Sequence, residues 1–268
     1  MRIHLIGANG FIGKEVMAIN DSHELISWSH SHLHNDFDLF DSMTWDNLLN
    51  SSPESVILLS WPGLPNYDDD FHITRNLPHS VKLIRKLVEN GCKNILITGT
   101  CYEYGLSSGA LVETLSPEPI NPYAVAKDCL RRYTQQLCRY NNVRWIWTRI
   151  FYTYGINQNS NSLYPSLLRA ISECRDTFSL SSGNQMRDFI PASKLADMLL
   201  TLISGEASSG IYNCGSGVPI SIYDFAQSIV SAYSGSLRIE SNHSQSRNHE
   251  PQSFWADMNK FKQNSLKA

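Results

Sequence analysis

The sequence predicts an α/β fold: a Rossmann-like, doubly wound parallel sheet followed by a smaller C-terminal α/β lobe. Three observations predict it. Short apolar runs alternate with longer stripes at helical spacing, the pattern of βαβ crossovers. A glycine-rich turn, Gly7-Ala8-Asn9-Gly10-Phe11-Ile12-Gly13, joins the first run to the first stripe. The chain has 268 residues, 42% apolar and 18% charged, which is enough to bury a large core and too apolar for general disorder.

The elements follow in order. Ile3 to Ile6 opens a strand, and Phe11 to Ile19 is helical. Leu25 to Trp28 is a second strand, and Val56 to Ser60 is a buried one. Ile73, Leu77, Val81, Ile84 and Val88 recur at helical spacing, and Gly91 closes that helix. Asn94 to Thr98 is a strand, Tyr123 to Tyr140 a helix behind Asn121-Pro122, and Val143 to Ile150 a strand. Residues 1–150 therefore read as the dinucleotide-binding domain, with a returning segment near 186–204. Residues 151–268 read mainly as a substrate-binding lobe. In it Leu163 to Cys174, Ser193 to Ser204 and Ser221 to Tyr233 are helical, and Phe178 to Leu180, Phe189-Ile190 and Ile211 to Asn213 are short strands.

Charge excludes some classes. Lys and Arg number 22 against 25 Asp and Glu, a net charge of -3, so no basic footprint for nucleic acid is present. No apolar run approaches the roughly 20 residues of a membrane span, and Met1 to Ile6 carry no secretory leader. A cytoplasmic protein is expected, with its six cysteines as reduced thiols, since none form a C-x-x-C pair. His30, His32 and His34 alternate, but no acid or thiol completes a metal site, and no metal is expected.

The glycine turn carries the first chemical reading. Glycine at positions 7, 10 and 13 permits a tight turn and lets backbone N–H groups approach a pyrophosphate at a helix N-terminus. Asn9, Phe11 and Ile12 complete the turn. An NAD site usually places a carboxylate at the end of the second strand. Here Trp28-Ser29-His30-Ser31-His32 stand there. Hydroxyls and imidazoles at Ser29, His30 and Ser31 suit a 2′-phosphate, so NADP(H) is favoured and NAD(H) stays open.

Tyr123 and Lys127 lie four apart on a helix and share one face. A free phenol titrates near 10 and is a poor acid or base at neutral pH, and a neighbouring ammonium favours its anion. Thr100 follows the strand at Ile95 to Thr98. Ligands of open α/β sheets bind beyond such strand ends, where its hydroxyl reaches a substrate oxygen.

With these residues in place the chain resembles the extended short-chain dehydrogenases/reductases, in the sugar-nucleotide epimerase/dehydratase branch. The resemblance rests on Gly7, Gly10 and Gly13, Thr100 to Gly105, Asn121-Pro122-Tyr123 with Lys127, Arg149 to Gly155, Arg187-Asp188-Phe189-Ile190, Tyr212-Asn213 to Gly217, and Asp257 with Lys260. It implies that Thr100, Tyr123 and Lys127 are the catalytic trio. It also implies that Asp41, near the end of the third strand, contacts adenine and that Leu59, Ser60 and Trp61 line the cofactor. Arg187 and Arg247 would hold the diphosphate of a nucleoside-diphosphate sugar. The resemblance further implies a homodimer through the helices at Ile73 to Asn90 and Tyr123 to Tyr140.

Departures from that pattern narrow the reaction. The family's 4,6-dehydratases follow the catalytic Thr with Asp-Glu; here Cys101-Tyr102 stand there. Its epimerase-reductases place a Cys two residues after the Ser/Thr, and that place holds Tyr102. The family's asparagine after the sixth strand is Tyr152. With Cys101, Tyr102 and Tyr152 facing substrate, the resemblance implies a simple ketoreductase. Its expected substrate is a nucleoside-diphosphate 4-keto-6-deoxyhexose, reduced at C4 in a bacterial surface-polysaccharide pathway such as lipopolysaccharide biosynthesis. Two alternatives stand beside it: an NAD-dependent sugar-nucleotide 4-epimerase, and a non-catalytic NADP(H)-binding protein on the same fold.

Overall fold

The structure, a computed structural model, describes residues 1–30, 35–181, 183–233, 236–241 and 251–265. In the first half, β1 (Arg2–Ile6), α1 (Phe11–Ile19), β2 (Glu24–Ser29), β3 (Asn35–Asp36), α2 (Trp45–Asn50), β4 (Ser55–Leu58), α3 (Leu77–Glu89) and β5 (Asn94–Thr100) succeed one another. Then come β6 (Gly109–Leu111), α4 (Pro122–Tyr140), β7 (Arg144–Ile150), β8 (Tyr152–Tyr154), α5 (Leu163–Ser172), β9 (Thr177–Leu180), β10 (Met186–Pro191) and α6 (Ala192–Ser204). The chain closes with β11 (Gly210–Cys214), β12 (Pro219–Ser221), α7 (Ile222–Ala232), β13 (Arg238–Ser241), β14 (Phe254–Ala256) and α8 (Asn259–Ser265).

Seven strands form the central sheet in the order β3-β2-β1-β4-β5-β7-β11. Every pairing in it is parallel. The strand order reverses between β1 and β4, which opens a crevice at their carboxyl ends. Period-two alternation divides the core between the two faces. On β5, Leu96 joins the side covered by α1 and α6, and Ile95 and Ile97 join the side covered by α3 and α4. A third cluster, around Leu167, Phe225 and Ile229, packs α5 against α7 in the smaller lobe.

Residues 210–214, which the sequence places in the second lobe, are the edge strand of the central sheet; β11 pairs with β7 through Tyr212↔Thr148. The smaller lobe is built on β12-β10-β8, with β13-β9 and β14-β6 as two-stranded pairs. A buried carboxylate stitches it together. Asp188 accepts hydrogen bonds from Ser216 N and Oγ (both 2.6 Å), Gly217 N (3.0 Å) and Ala256 N (3.0 Å).

Several boundaries moved for identifiable reasons. The strand predicted over 56–60 ends at Leu58, and the backbone of Leu59 and Ser60 packs against Gly7 of the glycine loop. The helix predicted from Ile73 begins with a π-helical turn, His72–Asn76, before α3. The third strand ends at Asp36. Asp41 lies five residues beyond it, exposed, where its carboxylate accepts from Met43 N at 3.0 Å and caps a short 3₁₀ turn.

Candidate active site

The glycine turn packs against the neighbouring strand end. Gly7 has φ +94°, and a Cβ there would lie 2.9 Å from Ser60 N. At Gly13 a Cβ would meet Gly7 O, and would sit 2.6 Å from Ala8 O. Gly10 is the N-cap of α1, with no side-chain hydrogen bond and no acid in the first turn. The first N–H groups of α1 are thus left to a ligand, and the cradle is one that side chains would fill. These residues fit a pyrophosphate.

At the end of β2 the Ser29 hydroxyl is buried, with no hydrogen-bond partner among the described residues. Asp36 of β3 pairs with Ser29 in register, and its carboxylate lies 3.7 Å from His30 Nδ1. A carboxylate thus stands beside the β2 end, contributed by the next strand. No local sequence signal places it there, because β3 is two residues long. Ser31, His32 and His34 lie outside the described residues, as does Arg247.

At the other end of the crevice, β5 delivers Thr100 into a capping box. Thr100 Oγ1 accepts from Tyr102 N at 3.3 Å, and the Glu103 carboxylate accepts from Thr100 N at 3.0 Å. Asn121 caps α4 through Ala124 N (2.9 Å), with Pro122 in the first turn. Tyr123 and Lys127 consequently sit in the first two turns, on the face toward β5. Thr100, Tyr123 and Lys127 line one cavity of about 260 Å³ together with Phe11, Ile12, Leu59, Trp61, Cys101, Tyr102 and Tyr152. No carboxylate and no imidazole lines it among the described residues. A larger cleft of about 860 Å³ between α2 and α3 contains none of the predicted site residues.

Burial governs the protonation of this site. It pushes the Tyr123 phenol well above its ordinary value, while a hydrogen bond with Thr100 pulls the other way. Lys127 donates to Thr98 O at 2.7 Å, and burial lowers it to about 7, against the attraction of Glu103. The expected depression of Tyr123 by Lys127 is absent. The ammonium is 5.9 Å from the phenol ring centre, and desolvation outweighs charge. The Tyr123 phenol is consequently protonated at neutral pH. The Cys101 thiol is buried and pushed up to about 12, so it offers no base.

Tyr102, Tyr152 and Arg187 form a hydrogen-bonded chain. Tyr102 and Tyr152 share a hydroxyl contact of 3.2 Å, and Arg187 Nε donates to Tyr152 at 3.3 Å. Arg187 is fully buried, its guanidinium 4.8 Å from the Phe254 ring centre. It stands behind Tyr152, and the cavity wall is the phenol. Asp41 does not line the cavity.

Sequence reasoning missed Tyr67, Leu64, Phe151, Thr153 and Gln158 in the lining. The Pro- and Gly-rich run from Trp61 to Tyr67 directly after a strand was the available signal for the first two. It also missed Glu103, fully buried beneath the loop, where it pairs with Arg149 Nε at 2.9 Å and accepts from Trp147 Nε1 at 2.9 Å.

Known proteins resemble this chain in sequence and in fold. The NAD dependent epimerase/dehydratase family matches residues 3–215. The dTDP-6-deoxy-L-talose 4-dehydrogenase (NAD(+)) of Aggregatibacter actinomycetemcomitans is 28% identical over 273 residues, covering 95% of this chain and 99% of that protein. The GDP-6-deoxy-D-talose 4-dehydrogenase of the same organism is 24% identical, covering 90% and 83%. The solved structure of RMD from Pseudomonas aeruginosa complexed with NADPH shares the fold, with TM-score 0.86, 20% identity and coverage of 99% and 92%.

Proposed function

From a chain that belongs to the NAD dependent epimerase/dehydratase family, we propose a sugar-nucleotide ketoreductase acting at C4 of a nucleoside-diphosphate 4-keto-6-deoxyhexose. One observation carries this reading. The cavity unites Thr100, Tyr123 and Lys127 and holds no carboxylate or imidazole among its described lining residues. Water elimination and epimerisation beside a ketone both need a further acid or base; carbonyl reduction needs only a proton donor. The names of the two 4-dehydrogenase relatives describe the same bond change in the oxidising direction.

When bound, the reduced nicotinamide supplies hydride. Tyr123, held protonated by burial, gives its proton to the ketone oxygen as negative charge develops there. Thr100 donates a hydrogen bond to the same oxygen. Lys127, once charged, offers its ammonium to the nicotinamide ribose. Tyr102 and Tyr152 contact the sugar ring. Arg187 acts on the substrate through Tyr152, and Arg247 is the remaining candidate for the diphosphate. Asp41 stays the proposed adenine contact.

The cofactor turns on the end of β2. Ser29 and His30 suit a 2′-phosphate, but Asp36 beside them repels one and accepts from a 2′-hydroxyl. With that carboxylate counted, the balance moves from NADPH to NADH. Titration of both should show tighter NADH binding, and Asp36→Asn should shift preference toward NADPH; a wild-type preference for NADPH rejects the role of Asp36. A homodimer through α3 and α4, a cytoplasmic location and a place in lipopolysaccharide biosynthesis complete the reading, and light scattering tests the first.

Incubation with NADH or NADPH and a panel of dTDP-, CDP- and GDP-4-keto-6-deoxy sugars tests the reaction. Loss of nicotinamide absorbance with one 6-deoxyhexose product is expected. Interconversion of 4-epimers with cofactor retained through purification would establish the epimerase alternative instead.

A further inference from the structure

We propose that His72 is a positioning residue of this active site: it tethers the Trp61 indole, and the tethered indole fixes the Lys127 side chain. The proposal rests on the reading of Lys127 as a group that works at the nicotinamide. It begins with a feature the proposed chemistry leaves unused, a fully buried histidine within a π-helical turn, an irregularity frequent at functional sites.

Each ring nitrogen of His72 has a fixed task. Nδ1 faces two donors, Trp61 Nε1 at 3.1 Å and Asn76 Nδ2 at 3.2 Å. Nε2 faces the Asn66 carbonyl at 2.8 Å. This is the pattern of the Nε2–H tautomer, with Nδ1 as acceptor. Asn76 also donates to Pro62 O at 2.8 Å, so both ends of the turn clasp the segment that carries Trp61. The π-helical spacing puts His72 and Asn76 on the same side, where His72 reaches the indole and Asn76 reaches both the imidazole and the Pro62 carbonyl.

The indole in turn touches the catalytic pair. Lys127 Nζ lies 4.0 Å from the centre of the Trp61 ring, and the Tyr123 ring meets Trp61 edge-on at 6.1 Å. His72 itself meets the Tyr123 ring at 5.3 Å. Lys127 thus has two supports, the Thr98 carbonyl and an aromatic face. A π face holds an ammonium without neutralising it, and its orientation decides where the ammonium points. An untethered indole can rotate about its side-chain bonds, and the lysine then loses its second support.

The test uses cofactor-free protein and acetic anhydride, with acetylation of Lys127 followed by mass spectrometry. His72→Leu should raise the Lys127 labelling rate about tenfold, the scale of one desolvated cation–π contact. Lys260, whose Nζ is bound to Ile211 O at 2.6 Å, serves as the control and should stay unchanged. His72→Gln retains an acceptor for the indole N–H and should restore slow labelling. Trp61→Phe keeps a ring but has no N–H to tether, so it should label as fast as His72→Leu. In parallel, NADH oxidation with dTDP-4-keto-6-deoxyglucose should show kcat about tenfold lower in His72→Leu, with KM for the sugar nearly unchanged. If His72→Leu proves unfolded, with Lys260 labelling rising alongside, Trp61→Phe decides. Wild-type labelling in Trp61→Phe, or in a folded His72→Leu, overturns the proposal. Altered labelling without turnover in the wild type leaves the tether standing and removes the ketoreductase reading.

Discussion

Glu103 offers the sharpest test of how the catalytic loop is held. Both Glu103 and Arg149 are fully buried, and they meet at 2.9 Å. Glu103 Oε1 also accepts from Thr100 N and Trp147 Nε1, while Arg131 Nε lies 3.9 Å from Oε2. Arg149 leaves Nη1 and Nη2 without hydrogen-bond partners among the described residues, and its charge rests on the Tyr104 ring, 4.2 Å away. Glu103→Gln keeps shape and one acceptor oxygen but deprives a buried guanidinium of its counter-charge. Removing one partner of such a pair costs about 3–5 kcal/mol, which lowers the melting temperature by roughly 10 °C in a chain of this size. Differential scanning calorimetry with urea titration measures it. Replacing the pair together, Glu103→Gln with Arg149→Met, should recover much of the loss, because the acceptor for Thr100 N and Trp147 Nε1 is kept and no guanidinium is stranded. A loss under about 1 kcal/mol in Glu103→Gln, the range of exposed pairs, would refute the reasoning. So would a double variant no more stable than the single one.

Three further outcomes are expected. Tyr123→Phe should lower turnover at least ~100-fold with little change in cofactor affinity, measured by stopped-flow kinetics and calorimetry; near-normal turnover would remove Tyr123 as the acid. Gly13→Ala should abolish nicotinamide-dinucleotide binding while the protein still folds, since its methyl group would meet Gly7 O inside the cradle; unchanged affinity would show that the cofactor lies elsewhere. Stability should rise with pH between about 7 and 9. The unfolded lysine keeps its proton up to 10.5, whereas folded Lys127 releases it near 7, so the unfolded state binds more protons across that window. Above about 9 the trend reverses, because thiols such as Cys92 and Cys138 ionise when unfolded yet are held up to about 12 when buried. Urea midpoints in wild type and Lys127→Met compare the two, and an equal slope in both would reject the assignment to Lys127.

The sheet and the cradle were legible because their signals are local. An alternation of strand and helix periods requires only neighbouring residues, and Gly7, Gly10 and Gly13 mark a turn in which the positive φ of Gly7 and the close backbone approach at Gly13 call for glycine. The pairing of Tyr123 with Lys127 follows from one helical turn. Elements without such a signal were lost: β6, β8, β12, β13 and β14 are three or four residues long, too short for a period to show, and they form only because partners distant in sequence complete their hydrogen bonds.

The sequence by itself determined the fold class, the place of the glycine turn and the three polar groups Thr100, Tyr123 and Lys127 that line one cavity, since each depends on spacing along one strand, turn or helix. Only the tertiary structure decided the electrical state of those groups. Burial, which no linear pattern contains, keeps the Tyr123 proton on its oxygen and loosens the one on Lys127. The same holds for groups brought in from elsewhere: Asp36 reaches Ser29 across a strand pairing, Arg187 reaches the cavity through Tyr152, and His72 reaches Lys127 through an indole. Desolvation and contact between distant segments are properties of the packed molecule, and they exist only once the chain has closed on itself.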